Sequence, residues 1–69
     1  MQVTLKAARV NAGLTQKEAA AKLGIDARSL AHYEKGHRYP SVPTIQKMEA
    51  LYGVTYADII FLPGDTVLQ

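Results

Sequence analysis

Residues 16–35 of this 69-residue chain read QKEAAAKLGIDARSLAHYEK, and they are the most informative stretch for its fold. The pattern predicts two short helices joined by residues 23–26, a link too short for antiparallel packing, so the helices cross at a steep angle. Gly24 supplies the positive φ that such a turn needs. The crossing also needs small side chains where the backbones approach, and the first helix offers three in succession, Ala19, Ala20 and Ala21.

The second of these helices is predicted to have one apolar face and one basic face. Apolar side chains of both helices and their link form a small shared core, to which we assign Ala20, Leu23, Ile25, Leu30 and Tyr33. With those side chains turned inward, helical spacing brings three residues together on the outer face, Arg28, His32 and Lys35. A short, exposed, basic stripe of this kind suits a helix that enters the major groove of DNA.

Capping residues divide the rest of the chain into helices. The predicted spans are 5–11, 16–23, 27 to 34 or 35, 42–52 and a short fifth helix from 56 to 61. Each follows a side chain that can accept a hydrogen bond from the first turn, namely Thr4, Thr15, Asp26, Ser41 and Thr55. The inward residues of the first and fourth helices are Leu5, Ala8 and Val10, and Ile45, Met48, Leu51 and Tyr52. No stretch alternates apolar and polar residues for long enough to predict a sheet.

Composition limits the classes of protein to consider. Residues 1–47 hold all eight Lys and Arg with three acids, a net charge of +5, whereas residues 48–69 hold three acids and no base, a net of −3. A basic half fits an anionic partner, and an ordinary solvated surface explains it equally well. The absence of Cys excludes a disulfide framework. The apolar runs are far shorter than the roughly 20 residues that span a bilayer, and there is no signal-peptide pattern, so we expect a cytoplasmic domain.

Four sequence runs in order carry a resemblance to a known family. They are residues 13–20 (GLTQKEAA), 23–25 (LGI), 33–36 (YEKG) and 38–41 (RYPS). With these runs, the chain resembles helix-turn-helix domains of the Xre type, the family of phage repressors and Cro proteins, over roughly residues 4–61. The resemblance implies an all-α, compact, five-helix lambda-repressor-like domain at residues 1–62, with residues 63–69 as a C-terminal tail. It also implies a transcription regulator of the repressor type that binds double-stranded operator DNA as a two-fold homodimer.

The resemblance also implies roles for individual residues. Those that match the base-facing positions of the family are Ala27, Arg28 and His32. Those that match its phosphate-contacting positions are Gln16, Lys35, His37 and Arg38. Of these residues, Arg28 can discriminate best between bases, because its guanidinium can form a bidentate contact with guanine O6 and N7. Arg9 and Glu34 occupy positions that the family often fills with a structural ion pair, which would fix the second helix of the motif.

Other functions remain to be weighed against DNA binding. The apolar residues near the end of the chain exceed what short helices need to cover, so we expect a homodimer interface at Ile60, Phe61 and Leu62. The same surplus fits an alternative, a protein-interaction module of antitoxin-like type that keeps the fold with little or no DNA binding. No carboxylate is placed to orient His32 beside Ser29, and His32 and His37 have no third ligand nearby. We therefore expect no enzyme, metal site, cofactor or small-molecule ligand.

Overall fold

A computed structural model of the chain describes residues 2–61, and these are mostly helical. The described part contains four α-helices, α1 Leu5–Asn11, α2 Gln16–Leu23, α3 Ala27–Lys35 and α4 Val42–Tyr52. The predicted bounds of these four helices are confirmed. Two short strands, β1 Val3–Thr4 and β2 Ile59–Ile60, flank the helical part, and a 3-10 turn at Tyr56–Asp58 precedes β2. No helix within residues 2–61 has the length and apolarity to cross a membrane.

Side-chain caps fix where the helices begin. The hydroxyl of Thr4 accepts from the Ala7 N–H at 3.1 Å, and that of Thr15 accepts from the Glu18 N–H at 3.1 Å. The Glu18 carboxylate accepts in return from the Thr15 N–H at 2.9 Å, which completes a capping box. The hydroxyl of Ser41 accepts from the Thr44 N–H at 3.4 Å and caps α4, without a capping box. Because each cap satisfies a donor that the helix itself leaves unpaired, the residue type alone marks the boundary.

The prediction of a fifth helix over residues 56–61 is wrong. Only Tyr56–Asp58 form a helical turn, and Ile59 and Ile60 are extended. They pair in parallel with β1, with Val3 opposite Ile59 and Thr4 opposite Ile60. Consecutive β-branched residues favour the extended conformation, and the pairing buries Ile59 while Ile60 stays 41% exposed. The described chain is therefore not all-α, because it holds a two-stranded parallel sheet.

The hydrophobic core is built where the helices meet. Its buried members are Leu5, Ala8, Ala19, Ala20, Leu23, Leu30, Met48, Tyr52 and Ile59. Val10 was expected to face inward, but it is 55% exposed, since it lies about 140° from Leu5 around the helix. Ala21 is also exposed, so Ala19 and Ala20 provide the close approach at the helix crossing. Leu62 and the predicted tail at residues 63–69 lie outside the described residues.

One tyrosine hydroxyl is buried without a partner in this core. Tyr52 is 8% exposed, and its hydroxyl makes no hydrogen bond within the described residues. Burial, with a smaller effect from the Glu34 charge and an opposing one from Arg9, raises the pKa of Tyr52 to about 12. Because the folded protein favours the protonated hydroxyl, Tyr52 contributes fully to the free energy of unfolding below pH 10. This contribution is lost as the pH rises through 12.

We expect Tyr52→Phe to reduce the fall in the free energy of unfolding at alkaline pH. At pH 7 the variant should be as stable as the wild type or more stable by about 1 kcal/mol, because it removes an unsatisfied buried hydroxyl. Between pH 10 and 12 it should lose less stability than the wild type, since the ionisation of Tyr52 is gone. Urea denaturation at pH 7 and through this alkaline range measures both effects. An alkaline loss identical to that of the wild type would contradict the account.

Candidate nucleic-acid interface

A buried ion pair joins α1 to the end of α3. The Arg9 Nε donates to Glu34 Oε2 at 2.7 Å, and Arg9 Nη2 donates to Glu34 Oε1 at 3.3 Å. The two side chains are 9% and 4% exposed. Arg9 Nη1 also donates to the backbone carbonyl of Leu14 at 2.9 Å, which holds the loop between α1 and α2. The predicted partners Arg9 and Glu34 are thus in bidentate contact, a geometry that fixes direction as well as distance.

The same carboxylate reaches α2. The Gln16 Nε2 donates to Glu34 Oε1 at 3.0 Å, so Glu34 connects α1, α2 and α3. Gln16 is the first residue of α2 and is half-buried. An amide nitrogen carries two N–H donors, so its bond to Glu34 leaves a second donor for an outside acceptor. Gln16 therefore has a structural role in addition to the phosphate contact that its position predicts.

The outer face of α3 carries the predicted base-contacting residues. Arg28 is exposed, and Ala27 and His32 are half-buried. Ala27 packs against the core, which leaves only part of its methyl group available to a ligand. Asp26, the cap of α3, precedes this face. Hydrogen bonds from Ser29 hold the pKa of Asp26 below its usual value, with a smaller contribution from Arg28, so this carboxylate is ionised at neutral pH.

A tight reversal of the chain brings further basic residues to the end of α3. Gly36 has a φ of +81°, and its left-handed conformation lets the His37 N–H donate back to the His32 carbonyl at 2.9 Å. The His32 and His37 rings lie 5.6 Å apart between centroids. Lys35, His37 and Arg38 are all exposed. We call Arg28, His32, Lys35, His37 and Arg38 the basic edge.

The sequence did not predict a contact between Arg38, a member of the basic edge, and the ring of Tyr33. The Arg38 guanidinium carbon lies 5.8 Å from the centroid of the Tyr33 ring. Tyr33 is half-buried and packs against the core, whereas Arg38 is exposed. The sequence assigned Tyr33 to the core only. The signal that could have indicated the contact is a basic residue shortly after a helix-ending glycine, together with an aromatic residue in the last turn of that helix.

A second surface is lined by none of the predicted DNA-contacting residues, and we call it the aromatic groove. Its volume is about 410 Å³, and it is lined by Tyr39, Val42, Ile45, Gln46, Glu49 and Tyr56. The Tyr39 and Tyr56 hydroxyls are hydrogen-bonded at 2.8 Å. The Phe61 ring lies 4.7 Å from that of Tyr39 and 5.6 Å from that of Tyr56, so Phe61 packs at the rim of the groove.

Of the three residues predicted for a dimer interface, two fall within the described chain. Ile60 is 41% exposed, and Phe61 is half-buried against the two tyrosines. Leu62 lies outside the described residues. Within residues 2–61, no group of three or more His, Asp or Glu side chains is arranged to hold a metal ion.

Comparison with known proteins places this arrangement in a family. The model of a family described as helix-turn-helix matches residues 5–59. The chain belongs to the helix-turn-helix family. The resemblance to its Xre-type members is thereby confirmed, and the matched range contains Glu34, its two partners and the whole basic edge.

Three relatives of this helix-turn-helix chain are transcriptional regulators by name. The HTH-type transcriptional regulator ImmR of Bacillus subtilis is 49% identical over 51 residues, 74% of this chain and 40% of ImmR. The cryptic phage CTXphi transcriptional repressor RstR of Vibrio cholerae is 35% identical over 75% of this chain and 47% of RstR. The uncharacterized HTH-type transcriptional regulator y4dJ of Sinorhizobium fredii is 33% identical over 78% of this chain and 70% of y4dJ.

The matched region is thus less than half of two of these relatives, ImmR and RstR. No solved structure matches the chain significantly.

We expect the removal of one partner of the buried ion pair to destabilise the fold strongly. Replacing both partners by apolar residues should destabilise it much less. Arg9→Met alone should lower the free energy of unfolding by about 3–5 kcal/mol, because it strands the Glu34 carboxylate in the interior. Adding Glu34→Leu should recover most of that loss, since an apolar pair of similar volume avoids the desolvation cost. Urea denaturation of the two variants measures this. A loss of less than about 1 kcal/mol for Arg9→Met would mean that the pair behaves as an exposed one.

Proposed function

We propose that this domain is a sequence-specific DNA-binding transcription regulator, a repressor that inserts α3 into the major groove. The observation that carries the proposal is the basic edge, whose members are exposed except for the half-buried His32, while the acid of the same helix, Glu34, is buried against Arg9. Helix-turn-helix membership and the names of the relatives, two regulators and a phage repressor, support the same conclusion. The proposal places the protein on cytoplasmic DNA, in a bacterial or phage-encoded setting.

Base reading in this proposal rests on three residues of α3. Arg28 is exposed near the start of the helix, where a guanidinium can reach guanine O6 and N7. A good bidentate contact of this type gives about 1–3 kcal/mol of discrimination against the wrong base. Ala27 offers van der Waals contact to a thymine methyl. His32 can donate or accept, and it lies one turn further along the same face.

Phosphate contacts orient the domain without reading sequence. We assign them to Gln16 at the N-terminus of α2, where backbone N–H groups and the helix dipole favour an anion, and to Lys35, His37 and Arg38 after α3. The assigned groups lie on either side of the base-reading residues in the sequence. Neutralising phosphates releases counterions, so affinity for duplex DNA should fall steeply as salt increases.

We further propose that the protein binds a near-palindromic operator as a homodimer. Ile60, Phe61 and Leu62 are the proposed contacts, and exposed apolar side chains around the aromatic groove support them. Tyr39, Val42 and Tyr56 are 60%, 66% and 52% exposed. All three line the same groove, and adjoining exposed apolar side chains are typical of interaction sites. A two-fold dimer of this kind would require half-sites about 34 Å apart, one turn of the duplex.

We expect Arg28→Ala and Lys35→Ala to weaken binding in different ways. On a duplex selected from random sequences, Arg28→Ala should cost about 1–3 kcal/mol, with much less loss on unselected duplex. Lys35→Ala should weaken both duplexes alike and lower the salt slope by about one unit. Lys6→Ala, which removes an exposed charge from α1, is the matched control and should leave the slope unchanged. Binding isotherms at several salt concentrations measure all three.

Two outcomes would count against this assignment. Equal losses on both duplexes for Arg28→Ala would reduce Arg28 to a phosphate contact. A selected sequence with a single, unrepeated half-site would argue against the homodimer while leaving DNA binding intact.

The aromatic groove favours a second candidate, a protein-interaction module on the same fold. The groove is open and apolar at its walls, and it lies outside the proposed DNA contacts. If protein binding is the main function, affinity for duplex DNA should be weak and almost flat between low and moderate salt. The salt series described for Lys35→Ala therefore separates the two candidates.

A further inference from the structure

The last turn of α3 and the loop after it contain an aromatic–cation contact. Tyr33 is half-buried with its ring against the core, and Arg38 is exposed three residues beyond the end of the helix. The left-handed Gly36 turns the chain back, and the Arg38 guanidinium carbon comes to 5.8 Å from the ring centroid. A cation within about 6 Å of a ring centroid is attracted by the negative face of the ring.

We propose that Tyr33 is a positioning residue that holds the Arg38 guanidinium at the phosphate-facing end of α3. The proposal rests on the proposed DNA-binding function and adds to it a residue with no DNA contact of its own. The attraction between a guanidinium and the face of a ring takes up none of the guanidinium's N–H donors. Those donors stay available for the two parallel hydrogen bonds that arginine makes with a phosphate.

The Tyr33 ring acts by restraining the Arg38 side chain. Arg38 lies in a loop, and a long exposed side chain loses conformational entropy when it is fixed on a ligand. Restraining it before DNA arrives reduces that loss. The apolar packing of Tyr33 against the core could be supplied by leucine, whereas the attraction for a cation requires an aromatic face. The tyrosine hydroxyl is not needed, which makes phenylalanine the matched control.

A double-mutant cycle on random-sequence duplex DNA tests the proposal, because a phosphate contact does not depend on sequence. The variants are Tyr33→Leu, Arg38→Ala and the two combined. With Arg38 present, Tyr33→Leu should weaken binding about two- to fivefold, the range expected for an exposed cation–π contact. With Arg38→Ala in place, the same substitution should have almost no effect. Tyr33→Phe should bind like the wild type.

The ring itself provides a readout that needs no DNA. Proton NMR of the free protein should show the side-chain protons of Arg38 shifted upfield by the ring current in the wild type and in Tyr33→Phe. The shift should disappear in Tyr33→Leu. If leucine prevents folding, as judged by thermal melting, Tyr33→Met supplies a flexible apolar side chain in its place.

The outcomes separate this inference from the proposed function. Equal losses for Tyr33→Leu with and without Arg38, while wild-type binding is normal, would show that Tyr33 acts through packing and would overturn the inference alone. An absent ring-current shift would overturn it as well. Duplex binding by the wild type that is weak and insensitive to salt would overturn the proposed function, and with it the role given to Tyr33.

Discussion

The buried carboxylate of Glu34 bonds to side chains of two other helices and so fixes how α3 is oriented. A charge in the interior must be paired and hydrogen-bonded, and Glu34 meets that requirement through Arg9 on α1 and Gln16 on α2. The core alone could tolerate small shifts of α3 against its neighbours, because apolar contacts have little directionality. The bidentate contact with Arg9 cannot tolerate them. The orientation of α3 is therefore set by polar geometry as well as by packing.

The same contact buries the negative charge of α3 and leaves its positive charges exposed. Its acid points inward and is neutralised by Arg9, while Arg28 and Lys35 stay in solvent. The left-handed turn at Gly36 then adds His37 and Arg38 to the same end of the helix. A chain with a modest overall net charge of +2 thus presents a locally basic edge. That local surplus is what the proposed contact with the DNA backbone requires.

Local chemistry explains which parts of the fold could be predicted from the sequence. Caps such as Thr15 and stop residues such as Gly24 act within a few residues, so the bounds of the four α-helices followed from residue type. The short sheet could not be predicted, because Ile59 becomes extended through pairing with Val3 at the other end of the chain. The contact of Arg38 with Tyr33 depends on the path of the loop after α3, which residue type does not determine. The Arg9–Glu34 pairing was predicted from the family resemblance, since spacing along the chain does not bring those residues together.

Backbone amide chemical shifts of the labelled protein, titrated with its selected duplex, can show whether α3 is the DNA-binding surface. DNA binding through α3 predicts that the largest changes fall on Gln16, on the outer face of α3 and on residues 35–38, and that they diminish as salt is added. Unchanged amides throughout α3, with the changes confined to α4 and β2, would contradict it.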